Sequence, residues 1–342
     1  MPNYSATIAA IAQQAKTREA ALPLRHEACR SKFWLHSQPT QRVCLFFHGF
    51  TAAPYQFQPM AEAFYKAGYN VVVPLMPGHG VAGSWGRDNP PPLPIDPNVY
   101  KQFALQWLQQ AQALGQQVIV GGLSGGGTLA NWLAFERSQQ IYRTLLFAPY
   151  LSSSSKVIDL FVQKSNSYFQ WECKPGDVPI GYGGFAFPTL RVFLNIGQEV
   201  LTRSQSSDPV APMLIISSES DRAVGNDDHR AMFRAVLARQ PQTWYHRFDR
   251  VLDIPHTMMT KQEGNEYQNL LITMAKAYVE SNLSWQQVEE IGYRMTQGKT
   301  FNAVVAELNL QKQVSADMPA MMTMVDKRAI AISRNAAIAS AD

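Results

Sequence analysis

Apolar residues in this chain fall into two kinds of run. Short continuous ones, Val43-Cys44-Leu45-Phe46-Phe47, Val71-Val72-Val73, Val118-Ile119-Val120, Thr144-Leu145-Leu146-Phe147 and Met213-Leu214-Ile215-Ile216, read as strands buried on both faces. Between them lie stretches with apolar residues at helical spacing. These are Gln58 to Ala67 with Gly68 as its C′ residue, Asn98 to Leu114, and the segment after Gly126, with Leu129, Trp132 and Leu133 on one face and Glu136 opposite. Phe33 to His36 reads as an early strand and Thr243 to Phe248 as a late one. Helices are predicted over residues 1–22, ending near Pro23, over His229 to Ala238 and over residues 262–281. The alternation predicts an α/β fold: a mostly parallel central sheet with crossover helices on both faces.

The rhythm fails in two places. From Tyr150 to about Ser207, serine-rich and aromatic-rich segments show neither period, yet a structureless loop of that length is improbable in a compact domain. It reads as an inserted cap of short helices. After Asn282 about sixty residues remain, of which Ser284 begins a capped helix and the Met- and Ala-rich end is unassigned. The expected organisation is a helical segment 1–30, a core of 31–149 and 208–281, a cap of 150–207 and an extension of 282–342. The proline-rich run 89–94 is expected on the surface, since it can join neither helix nor sheet interior.

Composition narrows the class. The net charge of +4 is spread over singly placed arginines, with no basic run, so nucleic acid is not an expected partner. Cys29, Cys44 and Cys173 form no C-x-x-C pair and read as idle thiols of a reducing compartment. The N-terminus lacks a basic region followed by an apolar core, and no apolar run is long enough to span a bilayer; the expected location is cytoplasmic. No cofactor or metal cluster is expected. Asp227-Asp228-His229 comes nearest to one and reads as the acidic first turn of a helix.

The candidate chemistry centres on Gly122-Leu123-Ser124-Gly125-Gly126, set between a strand and a helix. A serine on such a turn needs a strained backbone and neighbours without side chains. Its hydroxyl is inert without a base, and the base needs a carboxylate to hold its tautomer. In a doubly wound sheet these groups come from loops at the carboxyl ends of strands. Asp221 follows the strand Met213 to Ile216, and His256 lies in the loop past the last strand, whereas His246 is mid-strand and His229 starts a helix. Glu219, Asp227 and Asp228 compete less well with Asp221. An oxyanion hole needs two backbone donors. The Gly125 amide is one candidate and the Phe50 amide the other, with Gly49 permitting a tight turn there. The side chains of His48 and His79 read as structural.

Together, His48-Gly49-Phe50-Thr51, Pro77-Gly78-His79-Gly80, Gly122-x-Ser124-x-Gly126, Asp221 and His256 resemble the α/β-hydrolase family, in particular its carboxylesterase and monoacylglycerol-lipase branch. The resemblance covers roughly residues 31–281. It implies a serine hydrolase with a cap between the sixth and seventh strands, acting on a small-molecule ester with an apolar acyl group. The long N-terminal segment and the C-terminal extension depart from the pattern and are candidates for covering the site or for association as a homodimer. Thioester hydrolysis or acyl transfer would use the same residues, and an idle hydrolase scaffold that only binds is the reading from another class. Met318, Met321, Met322 and Met324 suggest an apolar face of the tail, for a membrane surface, a docked helix or a dimer contact. Tyr168, Phe169, Trp171, Phe185 and Phe187 are either substrate-facing or the cap's own core.

Overall fold

The computed structural model describes residues 4–171 and 180–339. Cys173 therefore lies outside the described residues, while Cys29 and Cys44 are buried and free. The chain opens with α1 (Tyr4–Ala20) and the short strand β1 (Lys32–Trp34). It continues with β2 (Thr40–Phe47), α2 (Gln58–Lys66), β3 (Asn70–Val73), α3 (Pro97–Gln112), β4 (Gly115–Leu123), α4 (Gly125–Glu136) and β5 (Arg143–Phe147). Next come α5 (Lys156–Lys164), β6 (Tyr168–Gln170), β7 (Gly184–Ala186) and α6 (Phe187–Ser204). The core resumes with β8 (Met213–Ser218), α7 (Asn226–Leu237), β9 (Trp244–Phe248) and α8 (Gln268–Glu280). Four further helices, α9 (Trp285–Thr296), α10 (Phe301–Glu307), α11 (Met318–Met324) and α12 (Lys327–Ala339), follow them.

Seven strands form one sheet in the order β1-β3-β2-β4-β5-β8-β9. Every pairing is parallel except that of β1 with β3. Crossover helices force that geometry, and burial on both faces explains the unbroken apolar runs: β3 and β5 have no exposed residue, and β2 is buried from Val43 to Phe47. Burying a side chain such as Leu45 or Phe46 contributes about 1.5–3 kcal/mol.

Several expectations need correction. Helix α4 is buried on all sides from Gly125 to Phe135, so it has no polar face until its last turn. It is sandwiched between the sheet, α3 and α6. The insertion leaves the sheet after its fifth strand, β5, because a single strand precedes β2. Its main element, α6, is 18 residues long and no short helix. Helix α8 starts later than 262 because residues 260–267 are turns. In the proline-rich loop Leu93 is buried, and the Pro92 carbonyl lies where a side chain on Gly78 would stand.

Helix α1 and the helices after α8 both pack onto the core. In α1, Ile11, Ala15 and Glu19 are buried one turn apart, and the Glu19 carboxylate accepts from the Ser31 amide at 3.0 Å. Ser284 caps α9 with Gln287 in a reciprocal capping box, as expected of its position. Met318, Met321 and Met322 are buried, and α11 packs on α8. These three methionines are thus covered by the chain itself, whereas Met324 is half-buried.

Candidate active site

Residue Ser124 sits between β4 and α4 with φ 53° and ψ −120°, outside the ordinary regions for a residue with a side chain. Such a conformation costs on the order of 1–3 kcal/mol and persists only where the surroundings enforce it. Here the enforcement is tight. The Ser124 amide donates to the Phe147 carbonyl at the end of the neighbouring strand β5, 3.0 Å, and its own carbonyl accepts from Thr128 and Tyr150. A side-chain carbon on Gly122 would stand 2.3 Å from the Gly126 carbonyl, and one on Gly126 would stand 2.2 Å from the Phe47 carbonyl oxygen. The two outer glycines of the motif let strand, turn and helix pass within backbone contact.

Asp221 and His256 come to the same edge of the sheet from the loops after β8 and β9. The Asp221 carboxylate receives His256 Nδ1 at 2.7 Å, with the Asp221 side chain wholly buried and His256 about a quarter exposed. Burial pushes the Asp221 carboxyl up, but the charge and hydrogen bond of His256 and the Ala223 amide outweigh it and leave the group below the ordinary carboxylate value. Ser218 Oγ donates to the Ile254 carbonyl at 2.7 Å, which ties the histidine loop to the end of β8. Among the described residues no hydrogen bond joins the Ser124 hydroxyl to His256 in this conformation. His246 lies in β9, and His229 is buried with Nε2 on the Pro149 carbonyl. Asp228 is engaged by Ser152 and Lys156.

The turn after β2 is built around amides. The Gly49 amide donates to Gln56 Oε1 at 2.8 Å and the Thr51 amide to His79 Nε2 at 3.2 Å. Between them, the Phe50 amide has no partner among the described residues. A side-chain carbon on Gly125 would fall 3.2 Å from Phe50 Cβ, so the two amides expected to form a donor pair belong to residues that lie side by side. The strain in this turn sits at Thr51, φ 65°, two residues past Gly49. What Gly49 provides is room for Gln56, whose Oε1 would lie 3.1 Å from an added carbon.

Both turn histidines are structural. Met76 N–H donates to His48 Nε2 at 3.1 Å, so the His48 proton is on Nδ1, facing the Gly49 carbonyl at 2.9 Å. His79 has the same tautomer, with Nδ1 on the Pro77 carbonyl at 3.0 Å. Burial, and for His48 also its neighbour His79, holds both below the usual imidazole value, His79 at about 4. Neither is a base in reserve.

The insertion leans on this turn. Tyr182 N–H donates to the Thr51 carbonyl at 2.7 Å, and its hydroxyl donates to the Gly78 carbonyl at 2.6 Å. Phe50 is 5.0 Å from Phe185 and 5.4 Å from Phe193, ring centre to ring centre. Phe185 and Phe187 are buried, while Phe169 and Trp171 are exposed, so the aromatic set divides between core and surface. Tyr168 is half-buried.

The chain that sets a strained serine before a helix N-terminus, with an Asp–His pair from the loops after β8 and β9, matches the model of one family over residues 44–279. The chain belongs to the alpha/beta hydrolase family. A thermostable monoacylglycerol lipase of Bacillus sp. (strain H-257) is 39% identical over 90 residues, 26% of this chain. The chain spans only 34% of the length of that relative. Among solved structures, one from work on the metagenome-derived lipolytic enzymes LipS and LipT matches with a TM-score of 0.57 at 17% identity, covering 74% of this chain and 98% of its own. The monoacylglycerol lipase of Paleococcus ferrophilus matches at 0.55 and 14%, covering 71% and 96%. At such identities the structural matches speak for the fold alone.

Sequence reasoning missed Glu263. Its half-buried carboxylate accepts from Gln56 Nε2 at 2.6 Å, the Tyr55 hydroxyl at 2.8 Å and the Thr260 hydroxyl at 3.1 Å. No local pattern marks it, because Tyr55 and Gln56 lie more than two hundred residues away. Among the described residues no group of three or more His, Cys, Asp or Glu is arranged to hold a metal ion, and no helix is long and apolar enough to cross a membrane.

Proposed function

We propose that this protein is a serine hydrolase that cleaves carboxylic esters with an apolar acyl group. One observation carries the reading. A serine in a strained turn after β4 and a buried aspartate bonded to a histidine, in the loops after β8 and β9, rise from the same end of one mostly parallel sheet.

In the proposed mechanism Ser124 Oγ attacks the ester carbonyl as His256 Nε2 takes its proton. Asp221 holds the imidazole by Nδ1 and balances the imidazolium. The carbonyl oxygen, now an oxyanion, is received by the amides of Phe50 and Gly125, the latter at the positive end of α4. Collapse breaks the bond to the alcohol, which leaves with the proton from His256. Water, deprotonated by the same histidine, then releases the acid and restores Ser124. The insertion would act as a cap over the site, with Phe185, Phe187 and Phe193 forming an apolar approach to Phe50. The similarity to a Bacillus monoacylglycerol lipase agrees with an ester substrate.

Hydrolysis of a p-nitrophenyl ester series, from short to long acyl groups, by wild type and Ser124→Ala tests the reading. Activity lost in the variant and a fluorophosphonate label on wild type alone are expected. A wild type inert to every ester and to the probe leaves the binding-scaffold reading, and acyl-thioester cleavage faster than ester cleavage favours a thioesterase.

A further inference from the structure

The Glu263 carboxyl joins two parts of the site that the chain supplies separately. On one side it is fixed to the loop bearing His256. Its Oε2 accepts from Thr260, its amide nitrogen donates to the Thr260 carbonyl at 3.2 Å, and its carbonyl accepts from the Thr257 hydroxyl at 3.1 Å. On the other side its Oε1 receives Gln56 Nε2 and the Tyr55 hydroxyl. Gln56 turns its remaining amide oxygen to the Gly49 N–H, one residue before the unpartnered Phe50 amide. A chain of three contacts thus runs from the histidine loop to the oxyanion turn. Gln56 and Thr260 in this chain of contacts are buried and Tyr55, Thr257 and Glu263 half-buried, so water has little access to replace these hydrogen bonds.

We propose that Glu263 is a positioning residue, setting the oxyanion turn and the His256 loop in register through Gln56. This rests on the serine-hydrolase reading above. The loop after β9 and the turn after β2 are not neighbours in the sheet, since β4, β5 and β8 stand between their strands. Their relative placement therefore needs a bridge that backbone pairing does not provide. Misplacing catalytic groups by about 1 Å lowers rates by about 10²-fold. A bridge of this kind acts on turnover more than on ground-state binding.

The test measures kcat and KM for a p-nitrophenyl ester, normalised to the serine labelled at completion by a fluorophosphonate, in wild type, Glu263→Ala, Glu263→Gln, Gln56→Ala and the double alanine variant. Normalisation removes any misfolded fraction. We expect kcat per labelled serine to fall about 10–100-fold in Glu263→Ala with KM within about threefold. Glu263→Gln should recover most of that loss, because its amide can accept from Gln56 and Tyr55 and donate to Thr260. The double variant should be no worse than the poorer single one, as befits one chain of contacts. The proposal is overturned by unchanged kcat per labelled serine in Glu263→Ala, by a loss confined to KM, by multiplicative effects in the cycle, or by Glu263→Gln falling as far as alanine. If Glu263→Ala does not fold, Gln56→Ala and Glu263→Gln decide alone, a drop in the first and recovery in the second being required. A wild type that neither turns over nor labels removes the underlying reading itself, a result separate from any of these.

Discussion

Replacing Gly126 with alanine inserts one methyl group at the tightest approach in the site. The new carbon would stand 2.2 Å from the Phe47 carbonyl oxygen and 2.3 Å from that of His48, and ordinary contact begins near 3.4 Å. The start of α4 must therefore move away from the end of β2 by about 1.2 Å, since neither backbone oxygen can rotate aside. Overpacking of this kind costs up to about 3 kcal/mol, at the top of the usual range because the obstacle is backbone. At about 2 °C per kcal/mol for a large domain, the midpoint should fall by roughly 6 °C. The same displacement separates the Gly125 amide from the Phe50 amide, so kcat per labelled serine should fall on the order of 10²-fold. Gly86→Ala is the control. It has no atom within 4 Å and no left-handed backbone, so it should be neutral or gain about 0.4–1 kcal/mol. Thermal unfolding and ester hydrolysis measured on the same preparations check both. A Gly126→Ala protein with a midpoint within about 1 °C of wild type and undiminished kcat would refute the claim that this glycine sets the spacing of the two donors.

Three further outcomes are expected. The folded-state pKa of Asp221 is depressed, so its contribution to stability is present above the unfolded value, near 3.8, and is lost as pH falls through the folded one. Urea unfolding of wild type and Asp221→Asn should therefore converge on acidification below about pH 4, and a constant gap between pH 7 and pH 3 would contradict the assignment. Glu263 has the opposite sign. Burial, only partly offset by Gln56, Tyr55 and Thr260, raises its carboxyl, so ionisation costs stability as pH rises through the folded value. Glu263→Gln should gain on wild type between pH 4 and pH 8, and a gap that shrinks over that range would count against it. Met322→Ala should cost about 2–5 kcal/mol from cavity formation in a fully buried position while leaving kcat per labelled serine unchanged, and an unaltered midpoint would mean that α11 is not docked as described.

Much of this site was legible because its logic is local to strand ends. A β-branched run, a glycine-rich corner and an apolar helix marked Ser124, and the order of strands then singled out Asp221 and His256 by the loops they occupy. What escaped was everything set by contacts across the fold. The helix α4 looked one-sided because composition alone does not say that α6 will close over its outer face. Glu263 looked like one acid among many in Lys261-Gln262-Glu263-Gly264, since only the tertiary structure brings Gln56 to it. At Gly49 the residue type suggested a tight turn, whereas the constraint there is volume, and Thr51 takes the left-handed conformation.

The same distinction settles where the C-terminal extension is anchored. Its first residues meet the beginnings of strands. Trp244 Nε1 donates to the Leu283 carbonyl at 3.1 Å, the Trp285 amide donates to the Pro241 carbonyl at 2.7 Å, and Arg143 Nη2 reaches the Asn282 side chain at 3.4 Å. Trp244 and Arg143 open β9 and β5, whereas Ser124, Asp221 and His256 follow the ends of β4, β8 and β9. In a parallel sheet those are opposite edges, so the anchor of the extension is not over the serine. Trp285 instead packs against Phe233, which stacks on Tyr245 of β9, the outermost strand on that side. The extension is thus fastened to the starts of strands, at the end of the sheet away from Ser124, and this is why a cavity cut at Met322 should lower stability without touching turnover.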